Sequence, residues 1–258
     1  MIRGLWDRET VALMILAAVL PMAVTWLLAD GLPAVAWLLF FLVFAGFWHV
    51  IFMLSRAQPP SFAGALTALA VAMLAPSELG IGQLLLGISF GVVMAELVFG
   101  GWGRNVLNAA TLTLSFLGFG FPAAPWPDLA VQIGWAAVAS GAIGWLAGVY
   151  SGRVLAGALA VAGVAHVSGV DLTEVATAFL VVLVLLVCDP VTSAATRSGR
   201  WLYGALYGGL VVLFAQYWEG AAAVQLSVAA ALLASLAAPL LDEIAIAVWL
   251  ARRRRRFG

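Results

Sequence analysis

The sequence predicts an all-α integral membrane protein: ten transmembrane helices in one polytopic domain, built as two five-helix halves of opposite orientation. Three observations predict it. The chain of 258 residues is 65% hydrophobic and 9% charged, far outside the range of soluble domains. All 12 basic residues are arginine, and a ten-helix reading puts every one on the same side of the bilayer. Two short helices, in matching places of the two halves, each stop at a proline.

A spanning helix needs ~20 apolar residues to cross ~30 Å of hydrocarbon. Apolar runs place helices near 9–29, 33–54, 61–75, 80–99, 105–121, 128–150, 153–168, 173–188, 200–218 and 222–249. The opening residues, Met1 to Glu9, show no cleavage-site pattern, so the first run is expected to stay as a helix. Arg3 and Arg8 precede helix one, Arg56 follows helix two and Arg104 follows helix four. Arg153 lies between helices six and seven, Arg197 and Arg200 between eight and nine, and Arg252 to Arg256 after ten. Arginine bias sets orientation, so both termini are expected in the cytoplasm. Trp6, Trp126 and Trp218 fall at expected interfaces and read as belt anchors. The closing arginine run reads as a topology anchor or a contact for anionic headgroups.

The halves span 9–121 and 128–249, followed by a basic cytoplasmic tail over 250–258. Helices three and eight are about 15 residues, or ~22 Å, long. One ends Leu74-Ala75-Pro76-Ser77-Glu78 and the other Val187-Cys188-Asp189-Pro190-Val191-Thr192-Ser193. Each precedes a helix punctuated by glycine: Gly82, Gly87 and Gly91, then Gly204, Gly208 and Gly209. A five-helix unit repeated in tandem must insert upside down the second time, and interrupted segments of such repeats point to a site near mid-membrane. Gly144, Gly148 and Gly152 form a four-residue ladder on helix six that reads as a helix contact.

The polar residues inside this apolar chain carry the functional candidates. Glu96 is an intramembrane acid, a proton or cation ligand by default, or a partner for Arg104. Asp189 stands at the C-terminal end of helix eight, where the helix dipole disfavours an anion. It calls for a partner such as Arg197, a cation, or a donor from a ligand. Asn105, Asn108, Thr111 and Thr113 crowd the first turns of helix five. With Arg104 beside them they suit an anionic ligand at a helix N-terminus, or Asn105 serves as an N-cap. His49 and His166 fall toward opposite faces and cannot ligate one iron. Cys188, the single cysteine, excludes an internal disulfide and reads as a small buried hydrophobe. No metal site is expected.

The run Glu96-Leu97-Val98-Phe99-Gly100-Gly101-Trp102-Gly103-Arg104-Asn105-Val106-Leu107-Asn108-Ala109-Ala110 resembles the NqrB/RnfD family, membrane subunits of the sodium-pumping NADH:quinone reductase and of the Rnf electron transport complex. So do Asp189-Pro190-Val191-Thr192-Ser193 with Gly199-Arg200-Trp201-Leu202-Tyr203-Gly204, and Pro239-Leu240-Leu241-Asp242 before the arginines. These matches run in the family's order through most of the chain. The resemblance implies a ten-helix inverted repeat similar in shape to urea transporters, with broken helices three and eight. It also implies electron transfer through flavin, beside other membrane subunits and a cytoplasmic NAD(P)H- or ferredoxin-dependent reductase, with the lipid bilayer and no nucleic acid as further partners. Family members carry FMN on a threonine of a Ser-Gly-Ala-Thr motif in the outer loop after helix five. Here that loop, Ala123-Ala124-Pro125-Trp126-Pro127-Asp128, holds no hydroxyl, and the look-alike Ser140-Gly141-Ala142-Ile143 has isoleucine for threonine. The chain also reads as short for the family. The expected cofactor is therefore FMN or riboflavin held non-covalently. The expected binding residues are Gly100, Gly101, Gly103, Arg104, Asn105, Asn108, Thr111, Asp189, Thr192 and Ser193, with Glu96 and Asp189 as ion-coupling candidates for sodium or protons. A small-solute permease or channel of the same fold, and a cofactor-free anchor for a soluble reductase, are the alternative readings.

Overall fold

The structure is a computed structural model that describes residues 7–56 and 61–257, with side chains for 7–55 and 61–254. Arg3 and Trp6 lie outside the described residues, as do the side chains of Arg56, Arg255 and Arg256. The described residues form ten α-helices and no strand. They are α1 (Arg8–Asp30), α2 (Leu32–Arg56), α3 (Ala63–Leu74), α4 (Ile81–Gly91), α5 (Ala109–Gly120), α6 (Val131–Leu146), α7 (Gly152–Val167), α8 (Thr173–Val182), α9 (Arg197–Tyr217) and α10 (Ala223–Phe257). Two of them continue in wider π-helical turns, α4 over Val92–Leu97 and α8 over Leu183–Val187.

Three helices are long and apolar enough to cross a bilayer: Arg8–Asp30, Leu32–Ser55 and Ala223–Arg254. Six more are apolar but run only 10–17 residues. The outer surface is apolar too. Leu28, Leu32, Trp135, Leu146 and Val167 stand in the open, a surface that lipid tolerates and water does not.

Local chemistry sets the helix ends. Asp7 caps α1 by accepting from the Arg8 N–H, and Gly31 stops it at a φ of 65°. Helix five starts at Ala109, not at 105, because the Asn108 side chain accepts from the N–H groups of Ala110 and Thr111. Residues before it belong to a glycine turn, so Asn105 is not the cap. Helix six stops at Leu146 and Gly148 turns at a φ of 78°. Gly144, Gly148 and Gly152 therefore do not share a helix. The arginines 252–254 prolong α10 rather than begin a separate tail. α3 ends two residues before Pro76, and the π-turn of helix eight ends three before Pro190.

The packing pairs recur between the halves. α1 packs on α3 and α6 on α8; α3 on α5 and α8 on α10; α4 on α5 and α9 on α10. α1 meets α6, α5 meets α10, and α3 meets the π-turn of helix eight. The closest crossing is α7 on α9. A Cβ at Gly157 would sit 2.6 Å from the Trp201 carbonyl oxygen, and one at Gly204 would collide with the Val154 carbonyl. Only a residue without a side chain lets these backbones approach so nearly. Tyr207 is wholly buried beside that crossing and donates to the Phe179 carbonyl at 2.9 Å.

Candidate functional site

The two polar turns foreseen in the sequence meet. The turn between helices four and five carries three glycines at positive φ: Gly100 at 105°, Gly101 at 90° and Gly103 at 96°. L side chains rarely adopt this region. The turn is closed by the Gly101 N–H on the Glu96 carbonyl (3.0 Å) and the Arg104 N–H on the Gly101 carbonyl (3.2 Å). Asn105 knits it further, accepting from Gly103 N–H at 3.1 Å and donating to the Leu107 carbonyl at 3.0 Å.

The second turn follows helix eight. Asp189 Oδ1 accepts from the Val191 N–H (3.0 Å), and its Oδ2 from the Thr192 hydroxyl (3.2 Å). The same Oδ2 takes the Asn108 amide at 2.9 Å. That bond joins residues 81 apart in sequence. Asp189 is buried, and three donors compensate its charge. The partner considered in the sequence, Arg197, does not hold it. Ser193 donates its N–H to the Asp189 carbonyl at 3.1 Å.

Beneath the lock lies a cavity of about 30 Å³, room for a water molecule or two, lined in part by Glu96, Asn108, Tyr150 and Asp189. Of the predicted binding residues, Asn105, Asn108, Asp189 and Thr192 thus bond to the chain itself. Thr111 is fully buried with a hydroxyl that bonds to no protein group. Gly103 and Arg104 are exposed on the rim, and the Arg104 side chain has no partner among the described residues. A larger apolar cleft of about 650 Å³ opens between α6, α7, the end of helix eight and α9, with Trp145, Arg153 and Trp201 in its wall. None of the predicted binding residues lines it.

Glu96 is buried, with 1% of its surface exposed. Its partner is His49, Nε2 to Oε1 at 3.1 Å, and not Arg104. The π-turn over Val92–Leu97 carries Glu96 to face α2. His49 Nδ1 in turn lies 2.8 Å from the Ala45 carbonyl. His166 is exposed in the last turn of α7. Sequence reasoning gave no role in this site to three residues: Tyr150, His49, weighed only as an iron ligand, and Asp242, quoted only for the resemblance. The ten-helix reading expects His49 and Glu96 toward the same side of the bilayer, which is the signal the sequence offers for the pair. Asp242, on α10, accepts from the Ala195 and Thr196 N–H groups (2.7 and 2.9 Å) and from the Thr196 hydroxyl (2.6 Å). Thr196 caps α9 through the Gly199 N–H, so Asp242 pins the second turn and the α9 start to α10.

The positions expected to act as helix contacts and belts are also placed. Gly87 and Gly91 face Leu117 and Thr113 of α5. Trp126 packs its ring on Gly118, with its indole N–H buried and bonded to no protein group. Ser140 to Ile143 lie within α6, and Ser140 is fully buried.

Residues 2–142 and 132–248 match the model of the NQR2, RnfD, RnfE family. Curated relatives include the NqrB component of the Na(+)-translocating NADH-quinone reductase of Stutzerimonas stutzeri (strain A1501), 29% identical over 83% of this chain and 67% of that protein. The corresponding proteins of Klebsiella pneumoniae (strain 342) and Neisseria meningitidis serogroup B (strain ATCC BAA-335 / MC58) are each 28% identical over 83% of this chain, and over 66% and 67% of their own lengths. The chain spans about two thirds of the length of these relatives.

Proposed function

The chain belongs to the NQR2, RnfD, RnfE family, and from that premise we propose that it is a membrane-embedded electron-transfer subunit of a redox complex. The carrying observation is the Asn108–Asp189 bond, which makes one polar platform of turns drawn from both halves. In this reading a flavin, FMN or riboflavin, is held non-covalently on the rim of that platform. The rim suits a flat or anionic ligand: bare backbone at Gly103 and the exposed guanidinium of Arg104, without a partner among the described residues. The chamber beneath does not suit one, being of water size. Bound flavin supplies one- and two-electron chemistry.

The chain's own residues position it. Asn108 and Asp189 fix the two turns in register, Asp242 ties the second to α10, and Arg104 offers charge to a phosphate or a reduced ring. With isoleucine at 143 there is no hydroxyl for an ester at that place. The arginine distribution supports a platform facing the cytoplasm, and the bacterial relatives support a bacterial inner membrane around it. There a NAD(P)H- or ferredoxin-dependent reductase delivers electrons, which pass through other membrane subunits toward a membrane or periplasmic acceptor. The relatives' printed activity, sodium-translocating quinone reduction, supports coupling of electron passage to ion movement. An inverted five-plus-five repeat is supported by the recurrence of packing pairs between the halves and by helix ends just ahead of Pro76 and Pro190.

The test is a spectrum. The protein purified with its partner subunits is expected to show the visible absorbance of flavin, and acid precipitation to release the chromophore into the supernatant. A colourless preparation that retains all partners refutes the flavin reading.

A further inference from the structure

The His49–Glu96 contact contains a proton that simple ionisation does not provide. Ala45's carbonyl can only accept, so His49 Nδ1, 2.8 Å away, must carry a hydrogen. A neutral imidazole then has a bare lone pair at Nε2. That lone pair would face Glu96 Oε1 at 3.1 Å, acceptor against acceptor, if Glu96 were a carboxylate. The geometry therefore requires one more proton on the line between them, giving imidazolium with carboxylate or imidazole with carboxylic acid. Either way the pair is neutral overall, as the burial of Glu96 against a half-buried His49 favours. Loss of that proton leaves a net negative charge and two opposed lone pairs, and the contact must open.

Glu96 also lines the water-sized chamber, with Asp189 among the residues across it. Tyr150 lines it too, 4% exposed, with a hydroxyl that bonds to no protein group. A buried hydroxyl without a partner calls for a ligand. Hard cations gather about six oxygen ligands, and this chamber has few free. Asp189 already receives three donors, and Asn108 Oδ1 caps α5. What is left, the hydroxyls of Tyr150 and Thr67 and the Glu96 carboxyl, falls short of six and suits water or a hydrated proton better than sodium.

We propose that His49 and Glu96 form a proton-loading site that empties into the chamber between Glu96, Tyr150 and Asp189, and that the proton is the ion this chain handles. This deepens the ion coupling of the functional reading by naming the ion. The pair itself requires no flavin. The titratable neighbours are few. Glu9 of α1 acts on His49 from farther away and is itself bound by Arg8 at 3.0 Å. Cys188 adjoins Asp189, and both act on Tyr150; Tyr203 of α9 senses Asp189 and Cys188. α3 contributes Gly64, where a Cβ would sit 2.8 Å from His49 Cε1. Gly64 thus holds the ring's place open without touching the carboxylate.

The experiment uses the full chain in lipid nanodiscs with ¹⁵N-labelled histidine. Exposed His166 serves as an internal reference, and a His166→Gln sample assigns the two signals. At a pH where the His166 nitrogens give the signals of a neutral ring, the His49–Glu96 pair is expected to retain the extra proton. It will show either as imidazolium nitrogen shifts or, in the infrared, as a protonated-carboxyl band that Glu96→Gln abolishes. Glu96→Gln keeps a hydrogen-bonding amide in place, and its His49 is expected to become neutral. Gly64→Ala, which displaces the ring alone, is expected to weaken the pair's hold on its proton by about tenfold or more, one pKa unit. A neutral His49 beside an ionised Glu96 at that pH overturns the proposal. A His49 signal that is the same in wild type and Glu96→Gln, with no carboxyl band lost, does so as well.

With the partner complex in proteoliposomes, electron entry is expected to change internal pH in sodium-free buffer, and Glu96→Gln to remove that change. A strict sodium requirement untouched by Glu96→Gln also overturns the proposal. A flavin-free preparation in which the pair keeps its proton removes the flavin reading and leaves this one standing. A flavin-bearing preparation with neutral His49 beside an ionised Glu96 does the reverse.

Discussion

Replacing Asn108 by alanine removes two interactions at once. The amide caps α5, accepting from two N–H groups, and loss of such a cap costs about 1 kcal/mol. It also donates to the buried carboxylate of Asp189 at 2.9 Å. Stripping a donor from a buried charged acceptor costs about 2–3 kcal/mol. The sum, about 3–4 kcal/mol, falls on the turn next to Cys188, the one cysteine of the chain and 2% exposed. At about 1.4 kcal/mol per tenfold, local opening should rise by roughly two to three orders of magnitude. A buried thiol reacts only through such openings, so the labelling rate by a thiol-reactive dye reads the equilibrium directly. Asn108→Ser keeps a cap of equal quality but cannot reach Asp189. It should recover about 1 kcal/mol, less than tenfold of the lost protection. Labelling of Asn108→Ala within about threefold of wild type would refute the reasoning, and so would full recovery by serine.

The other expectations concern the rest of the site and its frame. Gly204→Val puts a branched side chain against the Val154 carbonyl, so the variant should lose its monodisperse peak on size exclusion. Gly209→Ala, which meets nothing, should elute as wild type. Asp242→Ala frees the turn before α9 from three hydrogen bonds. In inverted membrane vesicles trypsin should then cut at Arg197 and Arg200 at least several-fold faster, and an unchanged digestion pattern would show that Asp242 does not hold the turn. Arg104→Ala should lower flavin retention after washing without changing thermal stability, while Arg153→Ala leaves retention unchanged. The opposite outcome would move the flavin to the apolar cleft between α6 and α9.

The helices were legible because a bilayer imposes length and polarity on them more simply than a soluble core does. All ten apolar runs read from the sequence fall on helices of the structure. The start of helix five was misread because Asn105 and Asn108 are equally good caps on paper, and only the fold of the glycine turn decides between them. The π-turns over Val92–Leu97 and Leu183–Val187 were invisible, since nothing in an apolar run dictates a ring of one extra residue. They matter to the site, because the first sets the facing of Glu96. Both halves of the Asn108–Asp189 lock were foreseen as polar intruders, but their bond was not, because a distance between residues 81 apart is a property of the packing. Tyr150 gave no signal at all. A tyrosine near a helix end in a membrane protein reads as a belt residue, and its burial against Gly144 comes only with the fold.

Two corresponding helix pairs touch in different ways. α7 and α9 touch backbone to backbone through Gly157 and Gly204, a contact that cannot loosen without separating the helices. α2 and α4 meet through side chains, including the Trp48 indole donating to the Ser89 hydroxyl at 2.7 Å. His49, the partner of Glu96, directly follows Trp48 on the pair held by side chains, so the Glu96 contact sits where the bundle is tied by rotatable groups and the Gly157–Gly204 crossing where it is tied by backbone.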